Sequence, residues 1–291
     1  MKSLRLLSFL LLAAMASTSL AAWARTETPQ EHAQTSEPAL TPKQINDLVW
    51  TTIKTEINED TNDHSVYIYH VHYSTPNKDQ YSIKIETTKY GSLARITRLN
   101  GNEIPLSEQE QKVEAYIQDP SAQARKRRSN QHDDKQSAQL LKMLPDAFLW
   151  TVKSQTPEEI TLNYRPNPDF NPPDMEDRVF AAMAGEMVVN RAQHRIKVFR
   201  GELIHDVTFG WGILGRMNKG GTFEIIRQQL APHTWEITET HIHINGHILF
   251  FKTLSQNEDE VDSDFKPAEP NLTLEEANKI LMEQPNWPNK P

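Results

Sequence analysis

The chain contains no cysteine in 291 residues. That excludes a disulfide framework, thiolate metal ligands, a cysteine nucleophile and a lipidated cysteine. Glycine is scarce, with ten residues, and seven of these fall between Phe199 and Phe251. Long apolar runs are missing after the first two dozen residues. Those begin with basic Lys2 and Arg5, continue through apolar Leu6–Ala16, and end in Ala22-Trp23-Ala24, whose small residues suit a signal peptidase. The apolar run is too short to cross a bilayer, which takes about 20 residues. The expectation is export to the periplasm or beyond, with cleavage after Ala24 and no transmembrane anchor after cleavage. Positive charge is also in deficit. The formal net charge is -8, and removal of residues 1–24, with two positive and no negative charges, takes it to -10. An acidic chain has no global electrostatic reason to bind nucleic acid.

Residues 25–40 are polar and read as a disordered leader. Thr41-Pro42 then opens a helix whose Ile45, Leu48, Val49, Thr52 and Ile53 form one apolar face. Alternating residues predict strands over His64–Tyr73 and Gln80–Lys89, joined by the loop Ser74–Lys78, and over Ser92–Leu99, which ends in the turn Asn100-Gly101. A polar helical insert follows over 107–144. Ser107-Glu-Gln-Glu110 is its capping box, Pro145 its end, and Arg125–Arg128 a solvated basic stretch flanked by Asp119, Asp133 and Asp134.

Strands resume at Phe148–Val152 and Ile160–Tyr164. A loop with four prolines, Arg165–Asp174, leads to a short helix ended by Gly185. A meander of short strands runs from Glu186 to Leu254, with turn signals at Arg200-Gly201, Gly220-Gly221, Ala231-Pro232 and Asn245-Gly246. The acidic segment Glu258–Asp264 reads as mobile. Asn271 or Thr273 then caps a last helix carrying Leu274, Ala277, Ile280 and Leu281, before a tail at 285–291. These elements predict an α+β fold, mainly β, built on antiparallel strands as one domain over 41–284.

Gly210-Trp-Gly-Ile-Leu-Gly215 spells G-x-G-x-x-G. The helix that this motif needs has no room, because Asn218-Lys-Gly-Gly221 follows at once. His241 and His243 share a face if they lie on a strand, and a zinc site would need a third ligand such as His205, His233 or Glu239. The plainer reading is a polar face alternating with Ile242 and Ile244. No G-x-S-x-G or H-E-x-x-H occurs, so neither an enzyme nor a cofactor is expected. The second half also gathers flexible thioethers and aromatics. Phe180, Met183, Met187, Phe209, Trp211 and Leu214 are the candidate wall or rim of an apolar hollow; singly, each also reads as ordinary core.

Asn100-Gly101 with Leu106-Ser107 and the polar helix after it, Pro145-Asp-Ala-Phe148, Arg165-Pro-Asn-Pro168, Gly185, Asp206-Val-Thr-Phe-Gly-Trp-Gly212 and Gly220-Gly221 form a pattern. It spans most of residues 45–283 and resembles the periplasmic lipoprotein-carrier (LolA-like) superfamily. The resemblance implies a strongly curved antiparallel sheet, or incomplete β-barrel, lidded by helices around an apolar hollow. The implied function is non-enzymatic binding of a lipid, acyl chain or acylated partner such as a lipoprotein, in envelope lipid or lipoprotein handling. One rival is an envelope protein–protein interaction or sensing module with a filled core. A second is a metal-dependent hydrolase built on His241 and His243.

Overall fold

The structure, a computed structural model, describes residues 39–209, 215–248 and 251–288. The export signal and most of the leader lie outside them. Thr41 caps α1 (Pro42–Asn62) through a reciprocal capping box with Gln44. There follow β1 (Tyr67–Thr75), β2 (Lys78–Thr87), β3 (Gly91–Leu99) and β4 (Asn102–Glu103). Two helices, α2 (Leu106–Ile117) and α3 (Pro120–Ala147), lead to β5 (Phe148–Gln155) and β6 (Glu159–Pro166). After α4 (Met175–Ala181) come β7 (Met183–Asn190), β8 (Arg195–Leu203), β9 (Val207–Phe209), β10 (Gly215–Met217) and β11 (Thr222–Ala231). The chain finishes with β12 (Thr234–Ile248), β13 (Phe251–Pro267) and α5 (Leu274–Glu283).

The fold is α+β and dominated by one antiparallel sheet that does not close. Its order is β4-β3-β2-β1-β13-β12-β11-β8-β7-β6-β5, with β10 bridging β12 and β9 off this path. Sequence order is therefore folded back on itself: the first long strand pairs with the last.

Register separates the two faces. Trp150, Tyr164, Gly185, Gly201, Phe223 and Ile242 form one row across β5, β6, β7, β8, β11 and β12. Phe148, Phe180 and Phe199 join that row's rings in edge and tilted contacts. On this face α1 contributes Ile45, Val49 and Ile53, and α3 contributes Leu140, Leu141 and Leu144, to one apolar cluster. Pairing across β12, β13 and β1 puts α5 on the opposite face. There Leu274, Ala277 and Leu281 pack with Ile68, Ile83, Ile85, Leu93 and, from α2, Val113.

Several sequence expectations are corrected. Gly185 and Gly201 sit inside strands rather than at a helix end or a turn. A Cβ on Gly201 would lie 2.1 Å from the Tyr164 hydroxyl, and one on Gly185 would lie 2.0 Å from the Arg200 carbonyl. Bare backbone there lets the large rings cross the sheet. Asn245-Gly246 is likewise no turn but part of β12, where a Gly246 Cβ would strike the Arg216 carbonyl of β10 at 2.7 Å. The capping box expected at Ser107 is not made; Pro105 precedes α2 and offers no side-chain cap. Asp119 does cap α3, and α3 runs through Pro145 to Ala147, with the proline ring buried. Burial there offsets the hydrogen bond that proline cannot donate.

The acidic stretch expected to be mobile is strand. Residues 259–263 pair with β1 on one side, and 258–261 pair with β12 on the other. Its carboxylates find partners inside the sheet: Glu260 with Lys84 at 2.9 Å, and Glu258 with the Tyr73 hydroxyl at 2.9 Å.

Candidate functional site

Of the six residues expected to line an apolar hollow, Phe180, Met183 and Met187 are brought together, each 0% exposed. Phe180 packs edge-on against Phe148 and Phe199. At these positions the space between sheet and helices is filled by side chains. Phe209 ends β9, but its side chain, together with Trp211 and Leu214, lies outside the described residues.

Helix α1 is fastened to the sheet by charge. Glu56 of α1, 1% exposed, accepts from Arg195 Nε at 3.1 Å and Arg227 Nη1 at 2.7 Å. It also accepts from the Ile196 backbone N–H at 2.5 Å. Arg195 donates onward to the His233 carbonyl at 2.9 Å, and Arg227 to the Trp235 carbonyl at 3.1 Å. Burial pushes the Arg195 guanidinium below its usual pKa, and Glu56 works against that shift. A carboxylate shared by two buried guanidiniums costs desolvation but leaves little freedom in where α1 sits. Sequence reading missed this group. The one visible signal is that Glu56 and Asp60 continue the stripe of Ile45, Val49 and Thr52, placing two acids on an apolar face.

The opposite face carries the histidines. An open trough of about 640 Å³ crosses β7, β8, β11 and β12, walled by Glu186, Arg200, Glu202, Glu224, His241 and His243. Ala184 and Thr222, small side chains, also line it. Arg200 bridges Glu186 at 2.6 Å and Glu224 at 3.2 Å. Lys153 and Arg200 hold the Glu186 carboxyl below its usual pKa.

His241 and His243 do share this face. His241 Nδ1 meets Asp259 at 2.6 Å, its Nε2 meets Glu239 at 3.3 Å, and His243 Nε2 meets Asp259 at 3.2 Å. Burial lowers the His241 pKa, but the hydrogen bonds to Asp259 and Glu239 outweigh it and leave the imidazole raised. Of the further ligands considered, Glu239 adjoins His241, whereas His233 is exposed at the β11–β12 turn and His205 is exposed after β8. Among the described residues no group of three or more His, Asp or Glu is placed to hold a metal ion.

Comparison with family models, characterised proteins and solved structures finds no match.

Proposed function

We propose that this chain is a non-enzymatic protein of the cell envelope that works by meeting another protein through the open face of β7, β8, β11 and β12. The observation that carries the reading is the trough on that face. The helices that pack on the same face, α2 and α5, lie over β2 and β3 and leave the trough open. A row of half-buried Glu186, Glu224, His241 and Asp259, with exposed Arg200 bridging the two glutamates, gives it fixed charge rather than loose surface side chains. A photo-crosslinker at Thr222, on the trough floor, tests it in cells. The expected result is one crosslinked partner, lost when Arg200→Glu breaks the row. Crosslinks to no protein would overturn the reading.

A second reading, acyl binding in a lidded half-barrel, is favoured by the path of α3. Lys126 donates to the Ser92 carbonyl of β3 at 2.7 Å, while Trp150 of β5 donates to the Leu144 carbonyl at 3.2 Å. Eighteen residues of helix span about 27 Å. Nine strand spacings separate β3 from β5, about 43 Å if the sheet were flat. A strongly curved sheet, with α1, α3 and α4 as its lid, reconciles the two lengths. An acyl chain would enter by displacing Phe180, Met183 and Met187, with each buried methylene contributing about 0.8 kcal/mol. Delipidated protein is offered fluorescent fatty acids and phospholipids; a lack of saturable uptake removes this reading.

A further inference from the structure

Beyond α5 the segment Gln284–Pro288 folds back over β1, β2 and β3, on the same face as α5. Its polar groups are read by side chains. Arg95 Nη2 donates to the carbonyls of Gln284 at 2.7 Å and Pro285 at 3.3 Å, and the Thr97 hydroxyl donates to that of Trp287. Gln109 Nε2 donates to the Asn286 side chain at 3.4 Å, and Asn286 donates to Glu103 at 2.9 Å. The Trp287 ring stacks on His70 with centroids 4.8 Å apart and meets Tyr81 at 5.0 Å.

Arg95 is the unusual member. It is 1% exposed, yet its hydrogen bonds go to main-chain carbonyls, and the acid that acts on it, Glu110, does so through space. Its Nε is buried without a hydrogen bond, and so is Oε1 of Gln109, itself 1% exposed. A buried polar atom left unpaired costs on the order of 1–3 kcal/mol. The guanidinium fork matches a planar or tetrahedral oxyanion in a bidentate pair, and an anion adds charge–charge attraction that a neutral carbonyl lacks. The Gln284 and Pro285 carbonyls therefore stand where an oxyanion fits better.

We propose that Gln284–Pro288 is a displaceable strap over an anion-binding site. Arg95, Thr97 and Gln109 receive a carboxylate or phosphate group, and the slot between His70 and Tyr81 receives the apolar ring or chain attached to it. The site is separate from both the trough and the packed interior, so it stands whether or not either reading above does.

The test uses the full chain, titrated calorimetrically with inorganic phosphate and, separately, with N-acetyl-tryptophan, which joins a carboxylate to an indole. Trp287→Ala weakens the strap and leaves Arg95 in place. It should bind at least one probe ten-fold or more tighter than the unaltered chain, and Arg95→Met should abolish that binding. Binding of phosphate alone assigns a phosphate receptor; binding of N-acetyl-tryptophan alone assigns a carboxylate receptor with an aromatic slot. In the unaltered chain, bound probe should speed hydrogen exchange at the amides of Asn286 and Trp287. Failure of Trp287→Ala to bind either probe at millimolar concentration, binding that survives Arg95→Met, or strap amides unmoved by bound probe would each overturn the proposal. Melting curves confirm that the variants fold. If Trp287→Ala does not, His70→Ala opens the same slot from its other wall. If Arg95→Met does not, Arg95→Lys keeps the charge, loses the fork and should bind at least ten-fold more weakly.

Discussion

Two parts of the molecule bury arginine, and they do it differently. Between α1, β8 and β11, Arg195 and Arg227 close on Glu56, and main-chain carbonyls take further donors. On β3, Arg95 has the same degree of burial, but its hydrogen bonds go to the neutral carbonyls of Gln284 and Pro285, with Glu110 acting on it only through space. Burial alone thus says little about role. A guanidinium neutralised by a carboxylate from a different element is a fastening, because separating the pair strands charge in the interior. A guanidinium facing neutral groups keeps unused affinity for an anion.

The sharpest way to break this contrast is Glu56→Gln. It keeps the shape but strands two buried cations, and it should cost about 3–5 kcal/mol in chemical denaturation. A loss under 1 kcal/mol would mean α1 is held by apolar packing alone. Next comes Met187→Ala in the filled interior, which should cost about 2–5 kcal/mol depending on how far the core collapses. If the same variant gains saturable fatty-acid uptake, the second functional reading strengthens; if it merely loses stability, the interior is structural.

The seam between β1 and β13 sets a pH dependence. Burial and the neighbouring Glu260 push the Asp262 carboxyl up to about 8, with Glu86 and Glu236 adding to the rise and Lys84 opposing it. Its folded pKa lies above its unfolded value of about 3.9. The folded state therefore holds the proton more tightly, and stability falls as pH rises from about 4 to 8. Glu258, raised mainly by burial, acts in the same direction. His241, raised by its two carboxylates, adds stability that is present below its unfolded pKa and lost as pH climbs through the folded one. Glu186, held low, opposes them only toward acid, where its stabilising contribution is lost as pH falls through its folded pKa. The melting temperature should thus be higher at about pH 5.5 than at about pH 9, and Asp262→Asn should flatten the difference. An unchanged slope in that variant would show that Asp262 is solvated. The smallest effect expected is that of Arg95→Met on stability, about 1 kcal/mol or less in either direction, because lost carbonyl bonds offset the removal of a buried cation. A loss as large as that of Glu56→Gln would erase the distinction between the two arginine sites.

Much of the fold was legible locally. Thr41 and Thr273 make the capping boxes that Gln44 and Glu276 allow, and Asn100-Gly101 turns with both residues at positive φ. Strand alternation along Tyr81–Ile85 put Ile83 and Ile85 on a buried side, although Ser82 on the other side is buried as well. Errors arose where a local signal has two physical causes. Glycine at 201 and 246 serves close approach of neighbouring groups rather than a bend, and charge at 258–264 is met by partners on other strands rather than by water. For the candidate site, sequence placed His241 and His243 on one face but could not see that Asp259 lies between them, since that depends on β12–β13 register.

Composition, capping and periodicity by themselves determined that this is an antiparallel α+β chain without thiol chemistry. These are properties of short windows, where the backbone and a few neighbouring side chains set the free energy. Tertiary structure alone decided that the first strand pairs with the last, that Glu56 fastens α1, and that Arg95 is left to a strap. Each of those rests on groups about 140 to 200 positions apart, whose meeting is fixed by burial and register rather than by any local preference.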